Sequence, residues 1–259
     1  MGPSRYIEKD RASIKLGLST PLQRAAFNAA RSRHSGDWLL ALPITSCGLK
    51  LDDEAVRIAV GTRLALKLCI PHQCRCGSEV DSFDRRSLVC KRALDRTVTH
   101  HHLKYVIARS LASAGVPVSK EPPGLTRSDG KRPHGLTLIS WRACRSLIWD
   151  VTVSCTTADS YLEASSREAG AAAELAASNK MVKYAGLSSQ GEFVPIAVES
   201  HGPINRDALQ FLSALGRRLA ETNGDVRASS FLFQRISVVV QRFNSVLLHD
   251  GFVDDDRPE

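Results

Sequence analysis

No stretch of this sequence approaches the ~18 consecutive apolar residues of a membrane span, and Met1 to Lys15 mixes charges of both signs without a secretory apolar block. A membrane-spanning or secreted protein is therefore not expected. There is no internal repeat. Cysteine is too unevenly placed for a disulfide framework: of the seven, an odd number, Cys74, Cys76 and Cys90 crowd together while Cys47, Cys69, Cys144 and Cys155 are scattered. Reduced thiols with one metal cluster, in a reducing intracellular compartment, are the expectation. What is present is ordinary: 43% apolar and 24% charged residues over 259 positions exclude wholesale disorder. A chain of this size buries roughly 70–75% of the surface its unfolded form exposes, so it can build a real core.

The formal net charge of +8 is unevenly distributed. Residues 1–115 carry 19 Lys/Arg against 10 Asp/Glu, whereas residues 116–259 carry 16 against 17. The basic excess of the first part suits a polyanionic partner, most simply nucleic acid, because each neutralised phosphate releases counterions and adds affinity without sequence recognition.

Ser19 or Thr20 can cap a helix that starts at Pro21 and runs to Arg31, and Asp52, Asp53 and Glu54 open another running to about Leu68. Between them, Ser35 to Leu51 reads as ordered loop. Pro71 to Cys90 has the composition of a small metal knuckle. Leu94 begins a helix that Gly115 ends, and strands follow at Val116–Lys120, Gly135–Ser140 and Ser146–Ser154. The alanine-rich stretch Ala158–Ala185 reads as one long helix, then come a strand at Phe193–Glu199 and a helix at Arg206–Thr222. Ser229–Leu248 fits a helix slightly better than a strand, and Asp254–Glu259 is an acidic, frayed tail. The expected fold is α/β, a mixed sheet with an α-β-β-β-α-β-α core. Its divisions are a helical segment 1–70, a Cys-rich knuckle 71–92, the core 93–225, and a terminal helix with tail 226–259.

Alternation along Ser146–Ser154 sends Leu147, Trp149, Val151 and Val153 to one face and Ile148, Asp150 and Thr152 to the other. A carboxylate in mid-strand among apolar residues is costly to bury unless it meets a cation or a donor, so Asp150 is a candidate site residue; an Asp at a solvated strand end is the alternative. Lys180, Lys183 and Tyr184 share one helix face that a packed helix can aim at Asp150. On spacing alone the two lysines equally suit a helix C-terminus, where the dipole favours cations.

Arg132-Pro133-His134-Gly135 opening a strand, Trp149-Asp150-Val151-Thr152 on the next, and Lys180-x-x-Lys183-Tyr184 on the following helix resemble a known family. It is the restriction-like endonuclease domain found at the C-terminus of some non-LTR retrotransposon polyproteins, within the PD-(D/E)xK superfamily. The likeness spans about residues 35–245, and the Cys-rich knuckle resembles the zinc motif that precedes the nuclease there. No polymerase core is readable, so only the end of such a polyprotein is resembled.

The resemblance implies a fold, an activity and a site. Acidic residues would hold Mg²⁺ for hydrolysis of a DNA phosphodiester, with Asp150 matching the second family carboxylate and Lys183, or less favourably Lys180, orienting the nucleophile. Thr152 stands where a superfamily lysine is usual. His134 stands where the family has an aspartate ligand, which removes a charge that Mg²⁺ prefers, so nicking is expected to be impaired. Glu121 and Asp129 lie nearby as possible substitutes. Lys131, Arg132, Arg142 and Arg145 are expected to contact DNA, or RNA, around the site. Structural Zn²⁺ would sit on Cys74, Cys76 and Cys90; Arg86 occupies the place of the family's histidine, so His72 or one of His100, His101 and His102 would have to complete the site. A nuclear, DNA-acting protein follows from the likeness. The alternatives are a catalytically dead nucleic-acid-binding module and an α/β structural domain.

Overall fold

The computed structural model describes residues 17–93, 96–187 and 189–250. Within them are seven α-helices, a four-stranded mixed sheet and a two-stranded sheet. Helix α1 is Pro21–Arg31, with Thr20 and Gln23 forming a reciprocal capping box. Helix α2 is Asp53–Arg63, its first turn capped by Asp52, which accepts the Ala55 N–H at 2.7 Å. It stops short of Leu68 because Ala65 takes a left-handed φ of 52° and the Leu68 N–H turns to the Ser82 carbonyl. The two-residue strands β1 (His72–Gln73) and β2 (Glu79–Val80) then form an antiparallel hairpin. Helix α3 is Arg96–Ser113, ended by Gly115 at φ 71°.

The main sheet runs β3 (Val118–Lys120), β4 (Gly135–Thr137), β5 (Leu147–Ser154) and β6 (Glu192–Glu199) in that spatial order. The first two pairings are antiparallel, and β5 and β6 are parallel in register Asp150 to Pro195. On β6 the backbone of residues 195, 197 and 199 faces the open edge. Proline removes one donor there, the Asn205 side chain accepts the Ala197 N–H at 2.8 Å, and the Pro203 carbonyl accepts that of Glu199.

Leu147, Trp149 and Val151 of β5, with Val194, Ile196 and Val198 of β6, face a single large core. That core is shared with α3, with α6 (Arg206–Asn223) and with α7 (Ala228–Asp250), so the packing runs across position 225 without a break. Gly135 is what lets the indole of Trp149 lie against β4: a Cβ at that glycine would stand 2.3 Å from the ring.

The opposite face carries Ile148, Asp150 and Ala197 and is covered by α5 (Ala171–Lys183), whose Ala173 and Ala177 pack on Ala197. Small side chains on both sides bring this helix close to the strands. The single helix expected over Ala158–Ala185 is in fact two, α4 (Asp159–Arg167) and α5, broken at Gly170 with φ 84°. The break serves packing, since α4 lies against α1 while α5 lies on the sheet. The Asp254–Glu259 tail lies outside the described residues.

Candidate functional site

Alternation along β5 places Asp150 on the face under α5, and its side chain is only 1% exposed. Two groups meet it. The Lys180 ammonium stands 2.5 Å from Oδ2, and His134 Nδ1 stands 3.1 Å from Oδ1. The resemblance favours Lys183, and less so Lys180, for orienting the nucleophile; the lysine that meets Asp150 is Lys180. On α5 the buried Ala173 and Ala177 lead, at a spacing of four and then three residues, to the partly exposed Lys180, which continues the stripe that faces the sheet. Lys183 lies farther round. Its ammonium sits 5.2 Å from the Tyr184 ring centroid and has no carboxylate partner among the described residues.

His134 precedes β4, and its Nδ1 accepts the Val151 N–H at 2.8 Å. An imidazole nitrogen has one lone pair in the ring plane, so that bond fixes the neutral tautomer with the proton on Nε2. Nδ1 then cannot also donate to Asp150. The contact with Oδ1 sets lone pair against lone pair and is offset by the nearby Lys180 ammonium. Burial holds the His134 pKa below its usual value despite the pull of Asp150, in keeping with a neutral ring.

Glu121 is tied to the same place. Its backbone N–H donates to the His134 carbonyl at 3.1 Å, its φ is left-handed at 47°, and its carboxylate takes the Lys104 ammonium at 2.5 Å. That hydrogen bond holds the Glu121 carboxyl below the ordinary glutamate range. Lys104 was not singled out in the sequence; it lies four residues after His100, on the α3 face that lines the cleft beside His101, Glu121 and His134.

Tyr184, buried at the end of α5, donates its hydroxyl to the Arg132 carbonyl at 3.1 Å and so pins the turn that carries Arg132 and His134. Burial, and then Asp150, push its phenol up to about 12. Glu121, Lys131, Arg132, His134, Asp150, Lys180, Lys183 and Tyr184 line one cleft of about 420 Å³. Arg142 and Arg145 do not line it. Arg142 forms a two-pronged pair with Glu192, and Arg145 donates to the Gly191 carbonyl, both at the start of β6. Asp129 pairs with Arg127 at 3.1 Å.

The donor set of the cleft does not fit Mg²⁺. The His134 Nδ1 lone pair is taken by a backbone N–H, one Asp150 oxygen is taken by Lys180, and Glu121 is taken by Lys104. Among the described residues, no trio of His, Asp and Glu ligand atoms gathers within 4.8 Å at this place.

The cysteines are different. Cys74, Cys76 and Cys90 bring their sulfurs within 4.8 Å of one another, a cluster that can hold a metal ion. The β1–β2 hairpin builds it: Gly77 turns at φ 82°, its N–H donates to the Cys74 carbonyl, and the Cys74 N–H donates to that of Ser78. No histidine joins the three sulfurs within that distance among the described residues. His101 lines an adjoining pocket with Lys104, Glu121 and His134, and His102 bonds the Val98 carbonyl and tilts against Phe243. Arg86 instead places a guanidinium nitrogen 3.2 Å from Cys76 Sγ. Hydrogen bonds from Ser78 and then Arg86 lower the Cys76 thiol to about 5, whereas burial raises Cys74 to about 11. The set thus fits three of the four ligands of a structural zinc.

No protein-family model matches this chain, and no curated protein aligns with it significantly.

Proposed function

We propose that this chain is a nucleic-acid-binding domain of the restriction-endonuclease type, of non-LTR retrotransposon origin, in which Mg²⁺-dependent nicking is impaired by His134. One observation carries the reading: a buried mid-strand Asp150 lies under a helix lysine, beside the residue that opens the neighbouring antiparallel strand. The α-β-β-β-α-α-β-α order and the basic cleft around it support the same reading. DNA is the partner that this implies, with RNA second, and the nucleus is the corresponding place of action. The cysteine cluster would hold one structural zinc through Cys74, Cys76 and Cys90, contributing folding energy to a segment with little apolar content.

Three measurements test it. Duplex DNA should bind with log affinity falling against log salt at a slope of roughly −5 if half a dozen phosphates are contacted, and a flat dependence overturns the reading. Supercoiled plasmid with Mg²⁺ should stay intact with this chain, and nicking that disappears in Asp150→Ala would show that His134 has not impaired the site. Elemental analysis should find about one zinc per chain; under about a tenth of an equivalent removes the zinc assignment.

A further inference from the structure

Each carboxylate of the cleft already has its own lysine, Asp150 with Lys180 and Glu121 with Lys104. Three cations remain. Lys131 and Lys183 form no ion pair among the described residues. Arg132 uses only its Nε, on the Thr126 hydroxyl at 3.0 Å, which leaves its terminal nitrogens without a protein partner there. All three line the same cleft as His134. Because Val151 occupies Nδ1, the imidazole that lines this cleft carries its N–H at Nε2 and has no free lone pair.

We infer that the cleft is an oxyanion site that takes a backbone phosphate of nucleic acid directly, without a divalent cation, on Lys131, Arg132, Lys183 and the His134 Nε2–H. The inference rests on the nucleic-acid reading above and departs from the metal chemistry that the resemblance implies. A metal-dependent site needs lone pairs and free carboxylates, whereas this one presents N–H groups and uncompensated positive charge. Lys183 reports the same imbalance. Burial, and then the ammonium groups of Lys180 and Lys131, hold its pKa below the ordinary lysine value, a crowding that an anion would relieve. His134 is therefore the residue that changes the kind of ligand. An aspartate at that position would bring a third carboxylate, and with it a place for a cation and repulsion towards phosphate.

The test has two arms, each on protein whose zinc content is verified unchanged after exposure to EDTA. In the first, ¹⁵N-histidine spectra of the full chain should show His134 protonated at Nε2, and inorganic phosphate in EDTA should shift that resonance more than sodium chloride at matched ionic strength. An Nδ1–H tautomer, or equal shifts with both salts, overturns the inference. In the second, a labelled duplex of about 20 base pairs is titrated by anisotropy at fixed ionic strength. The parent should bind equally well in EDTA and in Mg²⁺. In EDTA, Lys183→Met should weaken binding several-fold and lower the salt slope by about 1, and His134→Asp should weaken it about tenfold. Mg²⁺ should restore part of the loss in His134→Asp only. Parent-like binding by both variants in EDTA would place the phosphate elsewhere and leave the nucleic-acid reading standing. Tenfold tighter parental binding in Mg²⁺ would make the cleft a cation site. Absence of duplex binding would refute the nucleic-acid reading, and the phosphate arm would then decide the oxyanion site alone.

Discussion

Asp150 and Glu199 are two carboxylates of one sheet, on adjacent parallel strands and almost equally buried at 1% and 0% exposure. Their company differs. Asp150 meets a lysine ammonium and an imidazole at the floor of an open cleft. Among the described residues Glu199 meets no cation; it accepts the Ala173 N–H at 3.0 Å, in the first turn of α5, and is followed by Ser200 and a buried His201. Burial raises the Glu199 pKa, and its hydrogen bonds to Ala173 and Thr156 only partly offset that. Glu199 thus anchors the start of the helix whose other end delivers Lys180 to Asp150. Burial alone does not distinguish a carboxylate paired with a cation from one that anchors a helix, and the partner beside it does.

The largest effect expected from breaking this contrast is at Lys180. In Lys180→Met the Asp150 charge stays buried without its partner, a loss that typically costs about 3–5 kcal/mol. Asp150→Asn should cost clearly less, because the Lys180 side chain is 22% exposed and its ammonium can turn to water. The double variant should recover part of the single Lys180→Met loss. Urea midpoints at pH 7 for the four proteins check this; equal losses in the two single variants would mean that the pair is solvated rather than buried.

The sheet was readable because alternation over Leu147–Val153 is strict, and it correctly placed Asp150 opposite the core face. The choice between Lys180 and Lys183 turns on how α5 is rotated. That rotation is legible in the Ala173–Ala177–Lys180 spacing of four and then three residues. The Gly170 break was hidden by alanine on both sides, since helix propensity there is high and only the separate packing of α4 on α1 requires the turn. The Glu121–Lys104 pair joins the end of β3 to helix α3, and the Val151–His134 bond joins β5 to the residue before β4; each spans 17 residues, which no local pattern encodes.

The second expected effect belongs to the sealed end of the sheet. Burial lowers the His201 pKa to about 4, so the folded state resists protonation that the unfolded chain accepts near 6.5. The stability this neutral ring contributes is fully present above pH 6.5 and is lost as pH falls towards 4. The loss is on the order of 3 kcal/mol for a shift of this size. His201→Asn, which keeps a partner for the Ser200 hydroxyl 3.0 Å away, should flatten the acid limb of urea stability between those pH values. An unchanged acid limb would mean that His201 reaches water.

Glu199 should give the smallest effect, with the opposite slope. A carboxyl whose folded pKa is raised contributes stability that is fully present below its unfolded value, near 4.5, and is lost as pH rises through the folded value. Glu199→Gln removes that titration while keeping an oxygen for the Ala173 N–H. At pH 7 the variant should stay within about 1 kcal/mol of the parent, because relief from burying a charge opposes the loss of a charge-assisted helix cap. As pH falls towards 4.5 the parent should gain on the variant, whereas at Asp150, with its lysine beside it, Asn should cost stability at neutral pH. Differential urea stability of parent and Glu199→Gln from pH 8 to 4.5 measures the drift. A parent that loses ground to the variant on acidification would show that Glu199 is held ionised by a partner, and the contrast between the two carboxylates would fall.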